Sequence, residues 1–77
     1  MDIFNKIFKV KKVFSNPKEY NYTIGEELKL ESIKRCEYSK KLLYTFIPAD
    51  EFTDPFTIEY KTVILDEEEI NLLLTST

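Results

Sequence analysis

Residues 23–48, TIGEELKLESIKRCEYSKKLLYTFIP, contain the pattern that decides the fold of this chain. Leu28 and Leu30 alternate with charged residues, which is the period-2 pattern of a half-buried strand. The run 42–48 is rich in aromatic and β-branched residues and ends in a proline, as a partner strand would. Residues 38–41, YSKK, connect the two runs, and the whole stretch therefore predicts a β-hairpin.

Two features of the first strand sharpen this prediction. Gly25 is the only glycine of the chain, and we expect it to adopt a positive φ where the strand begins. Ile33 breaks the alternation, which predicts a bulge or bend near residues 31–32. A helix over residues 26–38 is the competing interpretation, because its apolar positions also suit one helical face.

The downstream sequence predicts a third strand and a second loop. Residues 56–65, FTIEYKTVIL, alternate in polarity and end in an apolar run, so they are interpreted as the clearest strand of the chain. The preceding residues 49–55 are bracketed by two prolines, which is typical of a loop.

The acidic run near the end of the chain has the signature of a helix start. In TVILDEEEINLLL, residues 62–74, Asp66 is a suitable N-cap and Glu69 stands at the N3 position of a capping box. Leu65 and Ile70 occupy the two positions of a hydrophobic staple. We therefore predict a short helix after Leu65, as short as one turn, that leads into a final strand.

The N-terminal sequence leaves two interpretations open. Its apolar residues first recur at helical spacing and then alternate, which predicts a helical turn at residues 2–7 and a strand at 8–14. A single amphipathic helix through residue 14 is the rival. Residues 15–22, SNPKEYNY, contain an Asn-Pro pair and are predicted to form a loop.

Together these elements predict an α+β, β-rich fold in one domain, residues 1–77. We expect a small antiparallel sheet or half-open barrel of four to five strands with short terminal helical segments. The order of elements resembles a small SH3-like β-barrel, in which a short acidic turn often precedes the last strand, as LDEEEINLLL does here. The likeness spans about residues 8–77 and implies the fold alone, because the ALYDY-type run of signalling SH3 domains is missing.

The residues that are scarce exclude several kinds of chemistry. Histidine is absent, and Cys36 is the only cysteine, so the chain lacks the usual general base and a zinc ligand set. One glycine is too few for a glycine-rich phosphate loop. We therefore expect a protein that is not an enzyme and holds no cofactor or metal. A lone cysteine and the lack of a signal-peptide or membrane-span pattern predict a cytoplasmic location without a membrane partner.

Charge is divided unevenly along the chain. Residues 1–44 carry +4 and residues 45–77 carry −7, which together give the net charge of −3. The two halves could complement each other within the fold, or the acidic half could face a basic partner. The small size and the lysine- and isoleucine-rich composition also resemble accessory proteins of bacteriophages.

These observations lead to a functional hypothesis, an inhibitory protein-binding module that occludes a basic surface of a host nucleic-acid-processing protein. Its expected contact residues are acidic, or aromatic and near loops: Asp50, Glu51, Phe52, Asp54, Glu67, Glu68, Tyr20 and Tyr22. The alternative is a nucleic-acid-binding module, because basic residues interleaved with aromatic ones can follow a phosphate backbone. Its expected contacts are Lys9, Lys11, Lys12, Lys34, Arg35, Lys40 and Lys41. A homodimer is a further partner state that the sequence allows.

Overall fold

A curled, five-stranded antiparallel sheet forms the body of the protein and gives it the form of a half-barrel. The computed structural model describes residues 6–76. Its strands are β1 (Ile7–Val10), β2 (Phe14–Ser15), β3 (Asn21–Tyr22), β4 (Glu27–Arg35), β5 (Leu42–Pro48), β6 (Val63–Leu65) and β7 (Leu74–Ser76), and its helices are α1 (Pro55–Tyr60) and α2 (Glu67–Leu73). The main sheet has the order β6-β5-β4-β1-β7, and β2 pairs with β3 in a small second sheet. The β-rich α+β class predicted from the sequence is confirmed, and the half-barrel is compatible with an SH3-like pattern.

The hairpin of β4 and β5 is confirmed. The two strands pair from Leu28 opposite Pro48 to Arg35 opposite Leu42, and the register shifts between Leu30 and Ser32 at the predicted bulge. Gly25 has a φ of 95° just before β4, as expected for the only residue type that adopts this region without strain.

The N-terminal half differs from the prediction in the length of its strand. The strand predicted over residues 8–14 ends at Val10, and the Lys11 amide then donates to the Leu73 carbonyl at 2.8 Å. Residues 15–22, predicted as a loop, lie in the short paired strands β2 and β3 and in the turn that connects them. Of the predicted helical turn at 2–7, residues 2–5 lie outside the described residues, and Ile7 already belongs to β1.

The strand predicted over residues 56–65 is wrong, because its first half is helix α1. Asp54 caps this helix by accepting a hydrogen bond from the Thr57 amide, and Pro55 supplies the first helical position. An Asp-Pro pair of this kind is a strong helix start, since the proline ring presets φ and the aspartate satisfies a free amide. Only Val63–Leu65 joins the sheet, as edge strand β6.

Helix α2 begins as the sequence predicts and is two turns long. The Asp66 side chain accepts from the Glu69 amide at 2.9 Å, and the Glu69 side chain accepts from the Asp66 amide at 3.1 Å. This reciprocal pair is a complete capping box. β7 follows directly and pairs with β1, which closes the chain against its own N-terminal strand.

The core is formed by side chains of the main sheet and of β3. Its buried apolar side chains are Val10, Tyr22, Leu28, Leu30, Phe46, Val63, Leu65 and Leu74. Phe8 packs edge-on against Phe46 with the ring centroids 5.2 Å apart. None of the residues of either helix is fully buried, although Ile70 and Leu73 of α2 pack against the core from its edge. The outer faces of both helices are therefore candidates for a binding surface.

Candidate functional site

The segment that follows β5 presents two nearly fully exposed phenylalanines. Phe52 is 88% exposed and Phe56 is 85% exposed. They belong to residues 49–60, ADEFTDPFTIEY, which we call the acidic aromatic segment. Phe56 and Tyr60 are one helical turn apart on α1, so their side chains lie on the same face of the helix. Tyr60 is 45% exposed, so the segment carries three exposed aromatic side chains, which we call the aromatic surface.

Local hydrogen bonds fix the shape of this segment. The Asp50 side chain accepts from the Phe52 amide at 2.9 Å, which forms an Asx turn. The two Asp54 oxygens accept from the Thr57 amide at 2.9 Å and from its hydroxyl at 2.7 Å. These bonds to Thr57 lower the pKa of Asp54. Both aspartates, which the sequence selects as contact residues, therefore also shape the loop.

The acidic aromatic segment contains four carboxylates and no lysine or arginine. Glu51 and Asp50 are exposed beside Phe52. Asp50 also lines a groove of about 480 Å³ together with Glu26 and Glu27, two acids that the sequence-based analysis did not select. Glu59 pairs with Lys18 at 3.1 Å, but both side chains are largely exposed, so this pair neutralises the segment only in part.

A buried asparagine holds the end of α1 in place. Asn16 is 5% exposed, and its side-chain amide donates to the Tyr60 carbonyl at 2.7 Å and to the Thr62 carbonyl at 3.1 Å. Its side-chain oxygen accepts from the Lys18 amide at 3.0 Å and from the Tyr20 amide at 2.9 Å. One side chain thus joins the 16–20 turn to the connection between α1 and β6.

Tyr22 is not a surface residue, and its selection as a contact residue is wrong. Its ring is fully buried and stacks on Phe14 with a centroid distance of 4.5 Å. Its hydroxyl donates to the Lys61 carbonyl at 2.5 Å. Burial raises the pKa of Tyr22 to about 12. Tyr22 pairs with Phe14 across β2 and β3, whereas the neighbouring pair of Ser15 and Asn21 is exposed. The β2–β3 sheet therefore has one inward face, which Tyr22 occupies.

Tyr20 lies at the border of the aromatic surface. Its ring packs edge-on against Tyr60 at a centroid distance of 5.4 Å, and the Lys61 ammonium lies 5.0 Å from the Tyr20 centroid. Its hydroxyl donates to Glu26. Burial, together with this carboxylate, raises the pKa of Tyr20 to about 12. Tyr20 thus packs against Tyr60 and remains half-buried.

The other predicted acidic contacts lie at the opposite end of the sheet. β6 runs antiparallel to β5, with Leu65 opposite Tyr44, so α2 begins beside the start of β5. Glu67 accepts from the Tyr44 hydroxyl at 3.0 Å. Glu67 and Glu68 line a cleft of about 300 Å³ that they share with Lys40 and Lys41. The structure therefore does not join Glu67 and Glu68 to the 50–54 loop in one acidic face.

Four of the predicted nucleic-acid contacts gather at the turn between β4 and β5. We call residues 34–41, KRCEYSKK, the basic hairpin tip, because it carries Lys34, Arg35, Lys40 and Lys41 against the single acid Glu37. The Lys40 amide donates to the Cys36 carbonyl and the Cys36 amide to the Lys41 carbonyl, each at 2.8 Å. Lys40 adopts a φ of 63° in this tight turn. Tyr38 at its apex is 100% exposed.

The remaining predicted lysines are separate from this tip. Lys9 lies in β1 opposite Glu27, and Lys11 and Lys12 follow the end of that strand. Since β1 runs antiparallel to β4, these lysines lie at the end where β4 begins, away from Lys34 and Arg35. The two lysine clusters therefore form no continuous basic track.

The part of the chain that the structure describes holds no group of three or more acidic, cysteine or histidine residues placed to bind a metal ion. Over residues 6–76, no helix is long and apolar enough to cross a membrane. Hydrogen bonds from Ser39 and the Tyr38 backbone lower the pKa of the Cys36 thiol.

No family model, curated protein or solved structure matches this chain.

Proposed function

We propose that this protein is a non-enzymatic protein-binding module that docks through its acidic aromatic segment. The observation that carries this proposal is the exposure of Phe52 and Phe56, 88% and 85%, on a segment with four acids and no base. Exposed aromatic side chains are frequent anchors of protein interfaces, whereas a monomer normally covers such rings. The surrounding carboxylates select a partner whose apolar pocket lies within a basic surface.

The basic surface suggests the class of partner. Proteins that process nucleic acids carry basic grooves for phosphates, and an acidic module that covers such a groove inhibits by occlusion. We extend the proposal to a host nucleic-acid-processing protein as the target and to a bacteriophage accessory protein as the class of inhibitor. The cytoplasm is the proposed location, because a single cysteine suits a reducing compartment. The separation of Glu67 and Glu68 from the 50–54 loop limits the proposed docking surface to the acidic aromatic segment.

The test compares capture of proteins from a bacterial lysate by immobilised variants. The docking variant is Phe52→Ser with Phe56→Ser, and its matched control is Ile24→Ser with Leu72→Ser, which changes two apolar side chains of 69% and 57% exposure. We expect wild type and control to retain a basic protein that the docking variant loses. Capture should fall by about tenfold or more at high salt, since exposed charges are screened. Equal capture by all three proteins, or capture insensitive to salt, contradicts the proposal.

Nucleic-acid binding through the basic hairpin tip is the second candidate. The observation that favours it is the fully exposed Tyr38 among Lys34, Arg35, Lys40 and Lys41, since an aromatic ring beside cations can stack on a base. A low-salt gel-shift assay with single-stranded oligonucleotides tests it. A shift that Tyr38→Ala weakens supports this candidate, and no shift at micromolar protein removes it.

A further inference from the structure

The acidic aromatic segment and the basic hairpin tip lie at opposite ends of the same strand. The tip immediately precedes β5, and the segment immediately follows it. β5 has seven residues, so the two are separated by about 20 Å at the usual rise per residue. The basic hairpin tip of one molecule therefore points away from its own acidic aromatic segment and can contact the segment of a second molecule.

The charges of these two surfaces are complementary. The tip has four bases and one acid, whereas the segment has four acids and no base. Their formal charges of +3 and −4 attract each other across an intermolecular contact. Asp66, 3.8 Å from Lys41, and Glu67 and Glu68 lie beside Lys40 and Lys41 and offset their charge, so the exposed Lys34 and Arg35 carry the positive charge that the tip offers to a partner.

Both surfaces also carry unpartnered aromatic side chains. Tyr38 is fully exposed at the apex of the tip, and Phe52 and Phe56 are nearly so on the segment. None of the six residues of α1 is buried, so its aromatic face is available. A tyrosine that docks against an exposed phenylalanine gains edge or stacking contacts, and neighbouring cations gain from the faces of the rings.

We propose that a second copy of this chain occupies the aromatic face of the acidic aromatic segment, with its basic hairpin tip as the docking element. The contact is heterologous, because two different surfaces meet. It joins copies head to tail into short chains and leaves one free tip and one free segment at the ends. This inference uses the surface assigned to the protein partner but does not need that partner, so either proposal can fail alone.

Self-association of this kind regulates access to the segment. A tip bound from a neighbouring copy covers Phe52 and Phe56, and the partner must then displace it. The contact is small, so we expect weak association that is visible at high protein concentration.

The first experiment measures the weight-average mass by sedimentation equilibrium over a range of protein and salt concentrations. For the wild type, we expect the mass to rise above the monomer at low salt and return to it at about 0.5 M sodium chloride. The double variant Lys34→Glu with Arg35→Glu should remain monomeric. Its matched control, Lys11→Glu with Lys12→Glu, has the same net charge but alters exposed lysines outside the tip, and it should associate like the wild type.

The second experiment mixes two variants that are each monomeric. One has a broken tip, Tyr38→Ala with Lys34→Glu and Arg35→Glu, and the other has a broken segment, Phe52→Ser with Phe56→Ser. A heterologous contact lets the intact tip of the second bind the intact segment of the first. We expect the mixture to form heterodimers and to stop there, since no second contact remains.

Four results overturn the inference. Three are a wild type that stays monomeric at every concentration and salt, a tip variant that associates as strongly as its control, and a mixture that stays monomeric. The fourth is a mixture that grows beyond the dimer, because such growth requires another interface. None of these results affects the lysate experiment, whose readout is a different protein.

Discussion

Replacement of Asn16 by alanine should destabilise the fold by about 3 kcal/mol. The side chain makes four hydrogen bonds of 2.7 to 3.1 Å with backbone groups on both sides of it. At about 1 kcal/mol for each bond the loss is about 4 kcal/mol, and water reaching the half-exposed end of α1 recovers part of it. The free energy of unfolding of a 77-residue chain is typically about 4–12 kcal/mol. The Asn16 side chain therefore supplies a large fraction of the stability of the fold.

Urea denaturation followed by circular dichroism measures this effect, with the midpoint shifted and the slope unchanged. The matched control is Asn21→Ala, which removes one exposed hydrogen bond from the Ser15 hydroxyl at 2.5 Å. We expect the control to lose less than about 1 kcal/mol. Equal losses for the two variants, or a loss below about 1 kcal/mol at Asn16, would refute the role given to this side chain.

Asn16→Asp adds a test of sign. A carboxylate at this position faces the Tyr60 and Thr62 carbonyls, which accept hydrogen bonds and repel it. Its pKa in the folded protein should therefore rise above the ordinary value of about 3.9, because the protonated form can donate. The variant should approach wild-type stability below that pH and lose stability relative to wild type as the pH rises through the raised pKa. A deficit that does not vary with pH contradicts this reasoning.

Asp66→Ala removes the capping box and should cost about 1 kcal/mol in urea denaturation, whereas Glu68→Ala should change the stability by less than about 0.5 kcal/mol; equal effects would remove the capping argument. The pKa of Tyr22 rises from 10.0 in an exposed tyrosine to about 12, so the folded protein retains a proton that the unfolded chain loses, and stability should fall between pH 10 and pH 12. The fall should be smaller in Tyr22→Phe, and an identical pH dependence of the two proteins would disprove it. Phe52→Ser with Phe56→Ser should alter the free energy of unfolding by less than about 0.5 kcal/mol in the same assay, since both rings are exposed, and a loss above about 2 kcal/mol means that they pack.

The hairpin and the second helix could be predicted because their signals are local and unopposed. The bulge before Ser32, the positive φ of Gly25 and the capping box of Asp66 each follow from a few adjacent residues. Strand β4 and its partner then fix the β-rich class. The acidic run at 66–69 is explained by capping and helix-dipole effects, as its sequence indicates.

The error at residues 56–65 has an equally local cause. Alternation of Phe56, Ile58 and Tyr60 suits a strand, but three residues are too few to outweigh the cap of Asp54 and the proline that follows. The strand prediction also missed the aromatic face of α1, because Phe56 and Tyr60 lie on one face only at helical spacing. The Asp54–Pro55 pair is the local signal that indicates this helix.

The grouping of charged residues depends on contacts far apart in the chain. Whether Glu67 lies near Asp50 is decided by the antiparallel pairing of β5 with β6, which sends the two acids to opposite ends. The burial of Tyr22 similarly depends on the second sheet and on the Lys61 carbonyl that its hydroxyl reaches. Neither relation has a sequence signal within a few residues.

The acidic aromatic segment as the docking surface is tested most directly by an NMR titration of the isotope-labelled protein with a protein captured from lysate. We predict that the largest amide shift changes fall within residues 49–60, centred on Phe52 and Phe56, with little change in the middle of β4. Changes centred on residues 34–41, or spread evenly over the sheet, would contradict this account.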